Sequence, residues 1–513
     1  MIPVEPVLPV DDVQGDVLAG FRKPHQTFLF LKTVDAAAAK RSLGDLVPLI
    51  SSLRDVAAFN AAFRSARSRR GEAAGLVATW VGIAFTATGL TRLTNLNDVG
   101  RFADRSFKLG LARRSAFLGD PVVATDDGHP SGWLFGGTTT LVDAVVLVAS
   151  ESPDALATRE AECAALLAPG YEIVWRERCD AIADRPGHEH FGFRDGISHP
   201  GVRGRLDETT FLTPREIEID ESDPVTLLFA RRGQPLVWPG QFVLGLPRQR
   251  ASATDPAPLP PLPVFPHWAR HGSLVVIRRL RQDVDTLRRF LEESAGELAV
   301  RPGFAGITPD RLAALLVGRW PSGAPLVRSP RADDELLGAA RGPANAFGYL
   351  NARPPLPVVP GVSPDDFPPA LPDPGGALCP HGGHIRKMNP RDQPGASDSL
   401  THLILRRGIP FDHGPGDRGL MFVCYQASLR QGFEFLSTIW ANTRSQPLAE
   451  PGGMDLLIGR RGSSLSGRTR SLVLVGSNGE RATLTTTLDW VVPTGGGYFF
   501  APSLTALRDV LSR

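Results

Sequence analysis

Three short stretches hold the side chains whose types and spacing could do chemistry. The first is Cys379-Pro380-His381-Gly382-Gly383-His384-Ile385-Arg386-Lys387-Met388-Asn389-Pro390-Arg391-Asp392. Imidazoles beside a run of cations suit a metal or haem ligand flanked by groups that bind carboxylates. A basic surface loop with a hydrogen-bonded histidine has the same composition. Gly382-Gly383 removes two Cβ atoms just ahead of His384, which would let the backbone approach something flat or bulky. The second stretch, His188-Glu189-His190-Phe191-Gly192-Phe193-Arg194-Asp195-Gly196-Ile197-Ser198-His199-Pro200, sets one aspartate between two glycines with aromatic residues before it. A carboxylate in a tight apolar turn can shuttle protons; an Asp-Gly turn capping its own backbone looks the same. The neighbouring His188, His190 and His199 lack the HExxH spacing of a helical zinc site. The third stretch runs from Thr401 to Phe411 and contains Arg406-Arg407. Strand alternation points these two to opposite sides, one to a pocket and the other to water or a carboxylate.

Positioning such groups takes a sizeable scaffold, and 513 residues are enough for two or three domains. A hydrophobic fraction of 42% and a net charge of +2 give no electrostatic case for nucleic acid or an anionic membrane. The clusters at Arg64–Arg70 and Arg278–Arg281 read as solvated helix faces or strand ends. Four cysteines without CxxC pairing argue against a disulfide framework or a cysteine zinc site. Together with an amino terminus that has no basic or apolar leader and no twin arginine, they point to the cytoplasm. No apolar run reaches the length of a membrane span. Prolines cluster at Asp255–Pro266 and Pro354–Pro374, as stiff connectors or belts.

Apolar runs rich in β-formers predict strands at Gln26–Lys32, Val77–Phe85, Asp143–Ala149 and Tyr171–Arg176. Helices are expected over Asp35–Ser52 and from Ser152-Pro153 to about Leu167, the latter with a capping serine and a proline in its first turn. This is β-α-β, a long insertion, then β-α-β: a ferredoxin-like plan with an antiparallel sheet backed by helices. A second unit of the same plan is suggested by Ser273–Arg278 (strand), Asp283–Glu297 (helix), Gly419–Gln426 (strand) and Ser428–Asn442 (helix). The fold class is therefore α+β with two ferredoxin-like domains, placed at 1–218 and 219–513.

Taken together, the motifs resemble the dye-decolourising peroxidase family of haem proteins. GFRDG at Gly192–Gly196, extended by Ile197-Ser198, matches that family's GxxDG. GHIRKMNPR at Gly383–Arg391 is similar to its proximal-histidine segment. LRRGIPF at Leu405–Phe411, followed by GLMFVCYQ at Gly419–Gln426, is similar to its distal-arginine segment and the strand behind it. VQGDVL at Val13–Leu18, IAFTATGL at Ile83–Leu90 and YFFAP at Tyr498–Pro502 extend the likeness over nearly the whole chain. Length and the proline-rich insertions suggest the larger, elaborated branch of the family. Gly382-Gly383 departs from the pattern, since alanine or larger residues are commoner before the histidine.

The resemblance implies one haem b per chain in the C-terminal domain, with His384 as axial iron ligand and Asp195 and Arg406 over the opposite face. Arg406 is preferred to Arg407 because the family's arginine falls two residues before the position of Gly408. His381 competes with His384 but lacks the Ile-Arg that follows. Asp455, or else Glu434, would be the carboxylate behind the ligand. Arg386 and Arg391 would bind the haem propionates, while Ile197, Leu420 and Phe422 would contact the cofactor. The implied reaction reduces hydrogen peroxide and oxidises an organic reductant such as a dye or phenol, fastest in acid, on the order of pH 4 for an aspartate shuttle. Trp133, Trp238, Trp268, Trp320, Trp440, Tyr349 and Tyr425 could carry a hole to bulky reductants outside. A haem carrier or sensor would need His384 but no Asp195–Arg406 pair. A non-haem metalloprotein would use His188, His190 and Asp195.

Overall fold

The computed structural model of the chain describes residues 3–70, 76–220, 222–252, 254–350, 356–363, 365–393, 396–460 and 468–513. Positions 354, 355 and 364 of the second proline run lie outside these, as do the side chains of residues 66–70.

The amino-terminal half contributes β1 (His25–Thr33), β2 (Thr79–Phe85), β3 (Ala144–Ser150) and β4 (Tyr171–Asp180). Between them run α1 (Ala36–Leu46), α2 (Leu53–Arg70) and α3 (Pro153–Leu167). Helix α3 starts as its sequence requires: Ser152 accepts the Ala155 amide and Pro153 occupies the first turn. The helix expected over Asp35–Ser52 ends early, at Leu46, and a 3-10 turn at Val47–Leu49 follows. Pro48 has no N–H to continue the ladder.

A small three-stranded sheet follows, of β5 (Gly201–Val202), β6 (Phe229–Arg231) and β7 (Gln234–Val237). The boundary proposed at 218/219 falls inside it, between β5 and β6. The carboxy-terminal half repeats the first plan with β8 (Ser273–Gln282), α4 (Val284–Ala299), α5 (Pro309–Val317), α6 (His384–Met388), β9 (Leu405–Arg406), β10 (Ile409–Asp412) and β11 (Arg418–Gln426). A hairpin of β12 (Arg470–Val475) and β13 (Arg481–Thr486) and the long β14 (Val491–Ala501) complete it. In α4, Leu287, Leu291, Ala295 and Leu298 recur on one buried face. The helix expected from Ser428 begins only at Phe433 and widens into a π-helix over Leu436–Ala441.

The two halves share one nine-stranded antiparallel sheet, ordered β10-β11-β8-β14-β2-β3-β1-β4, with β9 beside β11. Each half has the ferredoxin-like order, and β14 joins them by pairing with β2. The end strands β10 and β4 pack against each other, so the sheet curls into a barrel. Its interior is filled by Phe28, Phe30, Phe135, Ile277, Phe411 and Phe499, each contributing about 1.5–3 kcal/mol by burial. At the seam, Glu177 of β4 is fully buried and accepts from Arg279 Nε of β8 at 2.9 Å, with His413 Nε2 2.8 Å from its other oxygen. Arg279 also pairs with Asp417 at 2.8 Å and stacks on Phe411. The solvated strand end expected at Arg278–Arg281 is thus corrected. Arg278 and Arg279 are buried against Asp120 and Glu177, acids brought from far away in the chain. All four cysteines are free and buried. Among the described residues no helix is long and apolar enough to cross a membrane.

Candidate active site

Between the sheet of the second half and its helices lies a cavity of about 340 Å³, reached by residues from both halves. One wall is built by α5 and α6. Gly318 ends α5 in the left-handed conformation, and a Cβ there would stand 2.5 Å from Ile385, so its absence lets α6 approach. His384 is the first residue of α6 and lines the cavity. Its Nδ1 lies 2.7 Å from Oδ2 of the fully buried Asp455, whose Oδ1 accepts the amides of Leu457 (2.9 Å) and Ile458 (3.1 Å). With Nδ1 donating to a carboxylate, Nε2 is left with its lone pair free for a metal. Glu434, the other carboxylate considered, is instead tied to Ser106, Arg114 and Tyr498.

Several expectations about this wall change. A Cβ on Gly382 would meet Leu472 and the Met454 carbonyl, and one on Gly383 the carbonyls of Pro380 and Leu315. The glycine pair therefore admits protein backbone, not a flat ligand. His381 turns its Nε2 to the Pro374 carbonyl at 2.9 Å and is buried away from the cavity. Arg386, expected at a propionate, is corrected likewise: it is fully buried, bonded to Asp373 (2.9 Å) and Gln393 (2.8 Å), and does not line the cavity. It stands two positions after His384 on α6, and residues two apart on a helix do not face the same side.

The opposite wall carries Leu420 and Phe422 from β11, Ile197 and Asp195 from the loop after β4, and Arg406 from β9. Register with Cys424 aims Arg406 inward, and its Nη1 donates to Asp195 Oδ1 at 2.7 Å. The Gly196 amide donates to the same oxygen at 2.6 Å. Gly196 takes φ +75°, a turn that a residue with a Cβ rarely adopts. The proton-shuttle and Asp-Gly-turn readings of Asp195 are therefore compatible. Glu189 folds the segment back by accepting the amides of Phe191 and Phe193, both at 2.9 Å. Burial pushes the Asp195 carboxyl up, but the Arg406 guanidinium, the Gly196 N–H, His199 and His384 outweigh it and hold it below the ordinary 3.8. Burial, then Arg406 and Arg407, pushes the neighbouring His199 well down, against the pull of the Asp195 carboxylate. Arg407 points away, as alternation requires, is half-buried, and lies near enough to the Asp16 carboxylate for that charge to favour its own. It donates to the carbonyls of Asp16 (3.1 Å), Val17 (3.3 Å) and Leu18 (3.0 Å).

At one edge Arg391, at φ +57°, stacks on Phe347 and donates to the Asn345 and Phe347 carbonyls, both at 3.0 Å. Beside it the buried Arg319, outside every motif, donates to Ser198 Oγ at 3.0 Å; burial lowers it to about 9. The donor set fits haem: one imidazole nitrogen on a wall, an acid–cation pair facing it, apolar sides and guanidiniums at a rim. Among the described residues no three His, Cys, Asp or Glu side chains gather as a metal site. His188 and His190 are bonded to the carbonyls of Arg185 and Phe411. Of the aromatic residues considered as hole carriers, all but Trp268 are buried.

The sequence matches the family model described as "DyP dimeric alpha+beta barrel domain" over residues 12–180 and "Dyp-type peroxidase, C-terminal" over 372–450. It is 32% identical to dye-decolorizing peroxidase msp1 of Mycetinis scorodonius, an alignment covering 98% of this chain and 88% of that protein. The chain belongs to the dye-decolourising peroxidase family. A second peroxidase of the family, from Mycena epipterygia, is 31% identical over 99% of this chain and 88% of its own length. The solved structure of an ancestral D-type dye decolorizing peroxidase superposes with a TM-score of 0.77 at 30% identity, covering 99% of this chain and 100% of that one. In this dye-decolourising peroxidase, replacing Asp455 with Asn removes the anionic acceptor behind His384. We expect haem affinity to fall about 10–100-fold. The iron–histidine stretching frequency, read by resonance Raman, should fall with it, which a merely structural loss would not cause.

Proposed function

We propose that this peroxidase reduces hydrogen peroxide at a haem b carried by His384 and oxidises dyes, phenols or similar organic reductants. Asp195 is its proton carrier and Arg406 its fixed cation. Haem, when bound, supplies the iron that engages peroxide and stores the oxidising equivalents. Asp195, as carboxylate, takes the proton from one peroxide oxygen and returns it to the other, which leaves as water. Arg406 is charged at every working pH and offsets the negative charge that grows as the O–O bond lengthens. It also fixes the carboxylate through its 2.7 Å bond. Asp455 keeps the His384 Nδ1 proton in place, and Arg391 and Arg319 offer charge to propionates. Leu420, Phe422 and Ile197 keep the peroxide side apolar, which strengthens both charges. Four free, buried thiols suit a reducing compartment.

The observation that carries this reading is the Asp195–Arg406 pair, joined across 211 residues in the wall facing His384. A haem carrier has no use for it. The test is the absorption spectrum of the purified protein, with and without peroxide, from acid to neutral pH. A Soret band that shifts with peroxide is expected, and its absence would remove every haem reading. The pH limb has a definite sign. A base held below 3.8 stays ionised through the ordinary carboxylate range, so peroxide reactivity should persist to that pH and fall only beneath it. A limb centred about two units higher would exclude Asp195 as the base.

A further inference from the structure

We propose that Tyr498, hydrogen-bonded to the carboxylate of Glu434, is the internal electron donor on which one oxidising equivalent is held when no reductant is at hand. Neither residue belongs to the peroxide site: Tyr498 stands in β14, and the place behind His384 is taken by Asp455, not Glu434. Tyr498 pairs with Val276 of β8, and Val276 with Cys424 of β11. Residues paired across antiparallel strands share a face, and Cys424 shares one with Phe422, so Tyr498 lies on the cavity side of the sheet. Its ring centroid is 6.3 Å from that of Phe433, edge to face, and Phe433 lines the cavity. Tyr498 thus packs directly behind a side chain of the cavity wall.

The phenol has a built proton acceptor. The buried Glu434 carboxylate accepts from Tyr498 Oη at 3.0 Å, from Arg114 Nε at 2.9 Å and Nη2 at 2.8 Å, and from Ser106 Oγ at 2.7 Å. Bidentate pairing with the guanidinium fixes its orientation towards the phenol. Burial, then the Glu434 charge, pushes the Tyr498 phenol well up, so the proton stays on Tyr498 until an electron leaves. A phenol that has lost an electron is a strong acid. An electron passes from Tyr498 to the haem that peroxide has oxidised, the Oη–H bond breaks, and the proton moves to Glu434 Oε1. Tyr498 is left as a neutral phenoxyl and Glu434 as a neutral acid. When a reductant arrives, the electron comes back by the same route and Glu434 returns the proton. Other aromatic residues lack one part of this arrangement. Tyr425 donates to Asp16 at 2.7 Å but packs in the barrel interior, on the face of β11 away from Phe422. Trp133, Trp238 and Trp320 donate to the carbonyls of Gly128, Pro256 and Ser329, which do not take up protons. At 1% exposure Tyr498 is out of reach of a dye, so it holds the equivalent and does not deliver it.

This inference rests on the haem reading, and the experiment keeps the two apart. Full-length holoprotein and its Tyr498→Phe variant are mixed with a single equivalent of hydrogen peroxide, without reductant, and frozen. The Soret band and the electron paramagnetic resonance spectrum are read on the same samples. A Soret band that does not move with peroxide sinks the haem reading and this one with it. Where the band moves, the parent protein should give a tyrosyl signal, identified by its narrowing when the protein is made with ring-deuterated tyrosine. Tyr498→Phe should lose that signal and Tyr425→Phe should keep it. Glu434→Gln, which still accepts a hydrogen bond but takes up no proton, should lose most of it, and is read on the same arms should Tyr498→Phe fail to fold. Under excess peroxide the Soret band of Tyr498→Phe should bleach sooner, because the equivalent has lost its sheltered place. A moving Soret band with no tyrosyl signal in the parent, or with one undiminished in Tyr498→Phe, overturns the assignment and leaves the haem reading standing.

Discussion

Asparagine at Asp195 is expected to slow the reaction with peroxide about 10²–10⁴-fold, the range for losing a positioned acid–base group. The substitution keeps the shape of the side chain and its contact with the Gly196 turn but removes the oxygen able to hold a proton between the two steps. Haem content should not change, since Asp195 is not the residue proposed to hold the iron. The Soret band of the variant is therefore the internal control, and stopped-flow mixing with peroxide is the measurement. Arg406→Leu is the companion. It also slows peroxide cleavage, and it leaves the Asp195 carboxyl with burial pushing it up and its largest opposing influence gone. The acid limb should then move to higher pH. If both variants react at the parent rate, the pair is not the catalytic machinery.

Alanine at His384 is expected to have the other large effect. It removes the ligating nitrogen itself, so the loss of haem affinity should exceed the roughly 10–100-fold expected for Asp455→Asn. Equilibrium titration with haem should give little or no Soret band, and added imidazole should restore part of it by filling the space the ring left. His381→Ala is the paired control: that histidine is bonded to the Pro374 carbonyl, and its removal should leave the spectrum unchanged. A normal spectrum in His384→Ala would move the iron ligand elsewhere.

Much of this could be read from residues alone, where the physics is local. Strands β1, β3 and β8 were visible as apolar runs, and α3 by its cap. The Asp195–Arg406 pair was visible because its two motifs are contiguous; alternation put Arg406 and Arg407 on opposite sides, and the family resemblance chose between them. What escaped depends on partners far away. Arg386 carries the same charge in sequence whether it faces a cavity or Asp373, and only packing decides. Arg319 stands in no motif, and its role follows from the backbone around Asn345. Arg278 and Arg279 looked solvated because Asp120 and Glu177 lie 158 and 102 residues off. Asp455 was identifiable only as a candidate, since no spacing rule links residues 71 apart. The helix expected from Ser428 failed at Gly432, whose bare face admits the Gln426 side chain.

The way β10 meets β4 has a consequence for how copies of this enzyme behave at high concentration. An open sheet of this length would present two rims of backbone amides and carbonyls, each a template onto which a neighbour could dock a strand of its own. Here each rim hides the other, and the join is latched by buried charges, Arg279 on Glu177 with His413 at its side. The large sheet thereby gives up the two rims on which ordered aggregation would begin.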